Sequence, residues 1–265
     1  MIGAIVGDYV GSAYEFAPTK NYNFELVTPA SSITDDTIMS LAIADALMQP
    51  TAHADYRGRM LYWGRKYPNP VGGYGGSFKR WLDSPDPQPY NSFGNGSAMR
   101  VSAIGWVFSE LETVQVEAAA SAGVTHNHTE GIRGAVATAT AVWLARNGYN
   151  IATIRAEVEK LGYDCSSFSV VNIKSSYRFD ETCMGTVPVA IRCLVESHSY
   201  EDCIRMAVSL GGDADTLACI AGGIAEAYYG EDSIPAELKA KALATLPADL
   251  LGVYNLFRER YVLNQ

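Results

Sequence analysis

Apolar residues recur at the spacing of an α-helix along most of this 265-residue chain. Residues at i, i+3, i+4 and i+7 share one face of a helix, and an apolar stripe at that spacing is typical of a helix packed on a core. Four stripes are clear: Met39, Ala42, Ile43, Ala46 and Leu47; Ile132, Ala135, Val136, Ala139 and Trp143; Val187, Ala190, Ile191, Leu194 and Val195; and Leu217, Ile220, Ala221, Ile224 and Tyr228. The pattern predicts an all-α fold with little or no strand.

Further helices are predicted over 2–16, 53–66, 98–122, 151–161, 200–210 and 236–260, and the only good strand candidate is Phe168–Ile173. Glycine is frequent inside these segments, although it destabilises a helix by up to about 1 kcal/mol relative to alanine. Gly3, Gly7, Gly11 and the pair Gly222 and Gly223 therefore indicate helices in close contact, or a ligand that touches backbone. No repeat or linker divides the sequence, so we expect one domain over residues 1–265.

The composition excludes several classes of protein. The net charge of −9 argues against nucleic acid or an anionic membrane as partner, because phosphate binding begins with clustered Lys and Arg. No stretch approaches the roughly 20 apolar residues of a membrane span, and Met1–Gly7 lacks the basic start of a signal peptide. The five cysteines lie ten or more positions apart, without the spacing of a redox motif or a zinc site. We expect a soluble, cytoplasmic protein with reduced thiols.

Two short acidic clusters carry the strongest functional signal. Thr34, Asp35, Asp36 and Thr37 form one, Asp213, Ala214, Asp215 and Thr216 form the other, and each precedes an apolar stripe. A single cluster of this kind is most simply a helix cap, because Asp and Thr accept N–H bonds at helix starts. Two matching clusters exceed what caps need, and crowded carboxylates resist burial unless a cation joins them. Oxygen ligands without His or Cys point to Mg²⁺, Mn²⁺ or Ca²⁺.

Four further segments carry weaker signals. In a helix, Asp8, Gly11 and Glu15 would share one face, with the glycine leaving room beside the acids. The turn Gly94, Asn95, Gly96 and Ser97 can expose backbone N–H groups to a phosphate, although an ordinary turn has the same composition. The segments 67–76 and 84–90 are rich in Pro and Gly and are predicted as loops that either bind a ligand or have no function.

Taken in order, five motifs resemble the ADP-ribosylhydrolases of the dinitrogenase-reductase-activating glycohydrolase type: Gly7, Asp8, Gly11 and Glu15; Thr34–Thr37; Gly94–Arg100; Thr125 and His126; and Gly211–Thr216. The similarity extends over nearly the whole chain. It implies an orthogonal helical bundle with two Mg²⁺ or Mn²⁺ ions in a cleft. It also implies an enzyme that hydrolyses the bond between ADP-ribose and an acceptor, so that the substrate is an ADP-ribosylated protein or a small ADP-ribosyl compound.

The resemblance also implies roles for individual residues. Those matching the metal ligands are Thr34, Asp35, Asp36, Asp213, Asp215 and Thr216. Glu15 matches a glutamate beside the metals, and the residues matching the lining of the ADP-ribose site are Gly94, Asn95, Gly96, Ser97 and His126. Ala214 departs from the Ser or Thr of many members without affecting the ligand set. The segment 67–93 matches nothing that identifies the acceptor, and arginine is the default by resemblance alone.

Hydrolysis at an anomeric carbon needs an oriented water, an acid for the departing group and a fixed ribose. We expect Glu15 to act as the acid or base and Asp36 to orient the water, although these two assignments can be exchanged. His126 has an alternative as a neutral, packed residue. Two other functions compete with the glycosidase: a two-metal hydrolase of phosphodiesters or pyrophosphates, and a sensor that binds ADP-ribose or a nucleotide without cleaving it.

Overall fold

Helices make up the regular structure of the computed structural model, which describes residues 1–50 and 53–263. In chain order they are α1 (Ile2–Gly11), α2 (Asp35–Met48), α3 (Tyr56–Lys66), α4 (Gly76–Asp83), α5 (Gly96–Met99), α6 (Ile104–Val107), α7 (Leu111–Gly123), α8 (Thr129–Arg146), α9 (Ile151–Lys160), α10 (Val170–Ile173), α11 (Cys183–Glu196), α12 (Tyr200–Val208), α13 (Ala214–Tyr229), α14 (Ala236–Ala244) and α15 (Ala248–Tyr261). The predicted all-α class is confirmed.

Side-chain caps define where many of these helices begin. The Thr34 hydroxyl accepts the Asp36 N–H at the start of α2 (3.2 Å), and Asn150 Oδ1 accepts the Thr153 N–H at the start of α9 (2.9 Å). Such bonds satisfy N–H groups that have no partner within the helix. Capping is therefore a real role of the first acidic cluster, in addition to any role in metal binding.

No β-strand occurs within residues 1–50 and 53–263, and the predicted strand Phe168–Ile173 is wrong. Its second half is the short helix α10, because the Ser169 hydroxyl caps the turn by accepting the Asn172 N–H (3.2 Å). Two isolated bridges, Thr34 with Val71 and Gly94 with Thr182, hold loops rather than form a sheet.

Three predicted helices have wrong boundaries. The segment 236–260 is two helices, since Pro247 has no N–H and its extended backbone begins α15. The segment 98–122 is divided among three shorter helices, α5 to α7, which irregular backbone separates. Helix α1 ends at Gly11, where the Ser12 hydroxyl donates to the Tyr9 carbonyl (3.0 Å) and a 3-10 turn begins. Glu15 therefore does not lie on the same helix as Asp8.

A line of glycines brings α1 and α13 into backbone contact. Carbonyl oxygens of α13 occupy the space that a side chain would fill on α1: Gly222 against Gly3, Ala218 against Gly7 and Ala214 against Gly11. Of the two explanations for these glycines, close helix packing is correct, and the space at Gly11 holds α13 rather than a ligand. This contact aligns the N-terminal end of α13 with the C-terminal end of α1.

The core is formed mainly by the apolar faces of α1, α2, α8, α11 and α13. All five cysteines are buried and free, as the sequence predicts. Within the described residues, no helix combines the length and the hydrophobicity needed to cross a membrane.

Candidate active site

The two acidic clusters meet at a cavity of about 270 Å³. The start of α2 and the start of α13 form its floor, and the Gly94–Gly96 turn and the segment Gly73–Phe78 form its walls. The predicted site residues that line it are Glu15, Asp35, Asp36, Gly94, Asn95, Gly96, His126, Asp213, Asp215 and Thr216. Thr34 and Ser97 are not among the lining residues.

Asp8, in α1, holds the cluster Thr34–Thr37 in place through hydrogen bonds. Its Oδ2 accepts the N–H groups of Thr34 (3.0 Å) and Thr37 (3.1 Å) and the Thr37 hydroxyl, and its Oδ1 accepts the Thr34 hydroxyl (2.8 Å). A buried carboxylate is stable only when such donors surround it. The Thr34 hydroxyl is thus bonded to Asp8, and its direct contact with a metal stays a prediction.

The second cluster is connected to the first and to the Gly94–Gly96 turn. The Thr216 hydroxyl donates to Asp36 Oδ1 (3.3 Å), so the starts of α13 and α2 touch. Asn95 Nδ2 donates to Asp213 Oδ2 (2.7 Å) and to the Thr186 hydroxyl (3.0 Å). The substrate contact predicted for Asn95 stays a prediction; in the structure its side chain holds Asp213.

Glu15 reaches this cluster from the turn after α1. It offers a carboxylate oxygen that lies within 4.8 Å of carboxylate oxygens of Asp213 and Asp215, close enough together for these three acids to hold an ion. Gly72 approaches from the other side: a methyl group built on it would lie 3.0 Å from Glu15 Oε2. The backbone at Gly72 has φ +80°, which favours glycine there.

Crowding raises the pKa values of the acids at this site. Burial and the charge of Asp213 raise the pKa of Glu15 to about 7. Burial raises the pKa of Asp8 to about 6 against the effect of its hydrogen bonds. The pKa values of Asp35, Asp36 and Asp215 lie well above their usual range because of burial and, next, the charge of a neighbouring aspartate. Without a positive charge, the site favours protonated acids.

The residues present fit a hard divalent cation. Asp36 Oδ2 is buried and has no hydrogen-bond partner, which is a costly state for a carboxylate oxygen unless a ligand occupies it. Within the described chain, no Lys or Arg forms an ion pair with Glu15 or with any aspartate of the two clusters. The donors are carboxylate and hydroxyl oxygens, the ligand type preferred by Mg²⁺ and Mn²⁺.

The segment 67–93 helps to enclose the acids of the site. The Thr34–Val71 bridge draws the loop over the acids, and Gly73, Ser77 and Phe78 line the cavity. Thr186 was missed altogether: it lies in the first turn of α11, and no motif in the sequence connects it with Asp213. Only the fold brings these residues to the site.

Comparisons with known proteins agree with this geometry. The sequence model of the family described as "ADP-ribosylglycohydrolase" matches residues 1–261. ADP-ribosylhydrolase ARH3 of Homo sapiens is 28% identical over 89% of this chain and 85% of its own length. ADP-ribosylarginine hydrolase Tri1 of Pseudomonas putida is 27% identical over 89% of this chain and 71% of its own. ADP-ribosyl-[dinitrogen reductase] glycohydrolase of Rhodospirillum rubrum is also 27% identical, over 88% and 85%.

A solved structure, an "ADP-ribosylglycohydrolase-related protein complex", superposes with a TM-score of 0.73 at 23% identity and covers 97% of this chain and 96% of its own. This likeness shows the shared all-α fold. The family match spans nearly the entire sequence and confirms the resemblance of the five motifs. The chain therefore belongs to the ADP-ribosylglycohydrolase family and is a hydrolase of glycosidic linkages to ADP-ribose.

Proposed function

We propose that the enzyme releases ADP-ribose from ADP-ribosylated arginine on a protein, at a centre that holds two Mg²⁺ or Mn²⁺ ions. The observation that carries the metal centre is Asp36 Oδ2, a buried acceptor without a partner among converging acids. The acidity of the cleft favours a cationic acceptor such as a guanidinium. Glu181 adds an exposed carboxylate to the cavity wall beside Glu15, whose pKa its charge helps to raise.

The residues that would hold the ions are Asp35, Asp36, Asp213, Asp215 and Thr216, with Glu15 at the margin and Thr34 behind. When bound, the ions supply positive charge that grips ribose hydroxyls and lowers the pKa of a water. Two ions also balance the carboxylates, which otherwise repel one another. Asn95 and Thr216 keep Asp213 and Asp36 oriented toward the cleft through the hydrogen bonds described above.

Glu15 is the acid or base of the reaction. It is half-buried, and its carboxylate is held between Gly72 and the second cluster, where burial and the charge of Asp213 raise its pKa to about 7 in the absence of metal. A carboxyl group so placed can give a proton to a departing guanidine and take one from water. Asp36 orients that water with the oxygen that has no protein partner. The transition state resembles an oxocarbenium ion, which a cleft lined with carboxylates stabilises.

A panel of acceptors tests this proposal. The protein is incubated with ADP-ribosyl-arginine and ADP-ribosyl-serine peptides and with a small ADP-ribosyl ester, in Mg²⁺, in Mn²⁺ and in chelator, and the released nucleotide is identified. We expect free ADP-ribose from the arginine peptide only when metal is present. Release of AMP would instead identify a pyrophosphatase, and binding without cleavage in chelator would identify a sensor.

Variants separate the two carboxylate roles. Glu15→Gln should lose turnover even at saturating metal, because an amide cannot exchange a proton. Asp86→Asn serves as the matched control, since Asp86 is an exposed acid that does not line the cavity and pairs with Arg57 (3.2 Å). If Glu15→Gln hydrolyses the substrate as fast as the wild type, the assignment of Glu15 is wrong.

A further inference from the structure

Arg100 is a buried cation without a carboxylate partner. Its side chain follows α5, is only 1% exposed and borders the cavity beside the Gly94–Gly96 turn. None of the ion pairs within residues 1–50 and 53–263 includes it, and its Nε has no hydrogen-bond partner. A buried charge without an opposite charge destabilises a fold by several kcal/mol by order of magnitude. Such a group calls for a functional explanation.

The remaining nitrogens of Arg100 are held by neutral acceptors. Nη1 donates to the Gly96 carbonyl (3.0 Å), and Nη2 donates to the Ser121 carbonyl (3.2 Å) and to the Thr125 hydroxyl (3.0 Å). The Ser121 carbonyl belongs to the last turn of α7, whose dipole offsets part of the charge. These contacts fix the guanidinium in place, but they leave its net charge facing the cleft without a counter-ion.

Thr125 passes the influence of Arg100 to His126. The Thr125 Oγ1 lies 2.7 Å from His126 Nδ1. A guanidinium can only donate, so Thr125 Oγ1 accepts from Arg100, and the adjacent positive charge turns the hydroxyl hydrogen away toward the imidazole. A hydroxyl that accepts from a cation is also a stronger donor. With Thr125 as the donor, Nδ1 is the acceptor nitrogen of the ring; in the other arrangement, Thr125 accepts from Nδ1–H and turns its hydrogen to Tyr90.

The other ring nitrogen, His126 Nε2, lies beside the Gly94–Gly96 turn. A methyl group built on Gly96 would lie 3.3 Å from Nε2, and one built on Gly94 would lie 3.5 Å from it. Burial and the charge of Arg100 lower the pKa of His126 well below its usual value. The ring is thus neutral, and with Nδ1 accepting from Thr125 its single N–H would be on Nε2, at the wall of the cavity.

We propose that Arg100, acting through Thr125, is a positioning residue that holds His126 as the neutral Nε2–H tautomer, and that the guanidinium supplies the counter-charge for the pyrophosphate of the substrate. The second half rests on the proposed function, because it takes the anion to be that of ADP-ribose. In an acidic cleft, a buried cation behind the glycine turn marks an end of the cavity suited to an anion. The relay would present a neutral donor and a fixed charge to that anion.

The tautomer is tested without any substrate. Nitrogen-15 NMR of the imidazole rings, with the His126 signals identified by their loss in His126→Asn, reports which nitrogen carries the proton. At neutral pH we expect one neutral form in the wild type, protonated at Nε2. Thr125→Val should give a mixture of the two tautomers, and Thr125→Ser should restore the wild-type spectrum. A proton on Nδ1 in the wild type, or a doubly protonated ring at neutral pH, overturns the relay.

The counter-charge is tested by calorimetry with ADP-ribose, ADP and adenosine as probes. Thr125→Val and Arg100→Gln should weaken ADP-ribose and ADP by about tenfold to a hundredfold, as expected for a charged hydrogen-bond partner, and leave adenosine unchanged. An equal loss of affinity for all three probes, or no loss for any of them, overturns the proposed counter-charge role of Arg100. If Arg100→Gln does not fold, Thr125→Val and Arg100→Lys decide it. Should the wild type fail to bind ADP-ribose, the proposed function fails while the tautomer measurement still judges the relay.

Discussion

At the scale of single residues, Asp36 shows how the site is built. One carboxylate oxygen accepts the Thr216 hydroxyl, and the other has no partner in the protein. The first bond fixes the side chain, and the second oxygen is left for a ligand. Asp8 shows the opposite arrangement, because all its hydrogen bonds are made within the protein. The two aspartates are similar in burial and differ in purpose.

Replacing Asp36 with asparagine should therefore abolish turnover and preserve the fold. The amide has nearly the same shape and keeps an acceptor for Thr216, but it removes the charge proposed to bind metal and orient water. We expect kcat to fall by about a hundredfold or more, measured with saturating Mn²⁺. The melting temperature in chelator should rise or stay equal, since one carboxylate of the repelling group is gone. Full activity with metal bound would contradict the role of Asp36.

Asp8→Asn should have a different signature. The amide brings two N–H donors to a position surrounded by donors from Thr34 and Thr37, so at least one of them loses its acceptor. We expect a loss of stability of about 1–3 kcal/mol, measured by urea unfolding in chelator. Asp86→Asn, at an exposed position, should leave the unfolding free energy unchanged. A stable Asp8→Asn variant would argue that Asp8 is not the support of the first cluster.

At the scale of elements, Lys20 joins three segments around the second cluster. Its Nζ donates to the Tyr177 carbonyl (2.9 Å) and to the Leu210 carbonyl, and its Cε packs against Gly211, whose φ is +60°. The loop between α12 and Asp213 is therefore held against the segment that precedes α11. A lysine that bonds to two backbone carbonyls rather than to an acid fixes backbone position.

Lys20→Met should weaken metal binding without removing any ligand. We expect the Kd for Mn²⁺ to rise by about threefold to tenfold, the effect of one or two net hydrogen bonds, while kcat at saturating metal is kept. Isothermal titration calorimetry measures the affinity. Lys241→Met, which alters an exposed lysine of α14, is the control, and Lys20→Arg should recover part of the loss. An unchanged Kd would show that the loop needs no such tie.

The contact between α1 and α13 gives a second prediction at this scale. A methyl group at Gly7 would collide with the carbonyl of Ala218. Gly7→Ala should therefore destabilise the protein by about 1–3 kcal/mol or more, as expected for an overpacked core. Gly252→Ala is the matched control in α15, where the added methyl meets no atom within 4 Å. It should be neutral or stabilise by up to about 1 kcal/mol. Urea unfolding compares the two, and equal effects would contradict the close contact.

Elements with a clear apolar stripe were predictable, and α2, α8, α11 and α13 all lie where their stripes indicate. Irregular elements were not. The short helices α5 and α6 are buried on most sides, so they show no amphipathic pattern, and α10 depends on a single Ser169 cap. The acids of the site were predictable from the sequence because the starts of two helices, α2 and α13, carry more carboxylates than a helix cap needs. Two contacts arise only in the tertiary fold, that of Asn95 with Thr186 and that of Arg100 with Thr125. No local sequence pattern predicts them.

At the scale of the whole molecule, the cluster of acids links stability to metal and to pH. The pKa of Glu15 is raised from 4.5 to about 7 and that of Asp8 from 3.8 to about 6. Between pH 4 and 7, by these values, the metal-free folded protein holds protons that the unfolded chain has released. Its stability therefore falls as the pH rises through that window.

Added metal should reverse this trend. In chelator, the melting temperature should be lower at pH 8 than at pH 5.5, and Mn²⁺ should raise it more at pH 8, where the carboxylates are free to bind. Differential scanning fluorimetry at both pH values measures the four melting temperatures. The Asp36→Asn variant should show a smaller difference between the two pH values. A chelated wild type that is more stable at pH 8 than at pH 5.5 would contradict the linkage.

The glycine contact between α1 and α13 also shapes how the protein is made. On the ribosome, α1 emerges about 200 residues before its partner, which at typical rates of translation is a delay of roughly 10 to 40 s. During that time a helix that is buried on every side in the finished protein has nothing to pack against. The nascent chain therefore exposes a strongly apolar segment to which chaperones can bind. The proposed metal site likewise cannot form until Asp213 and Asp215 have been synthesised, long after Asp35 and Asp36.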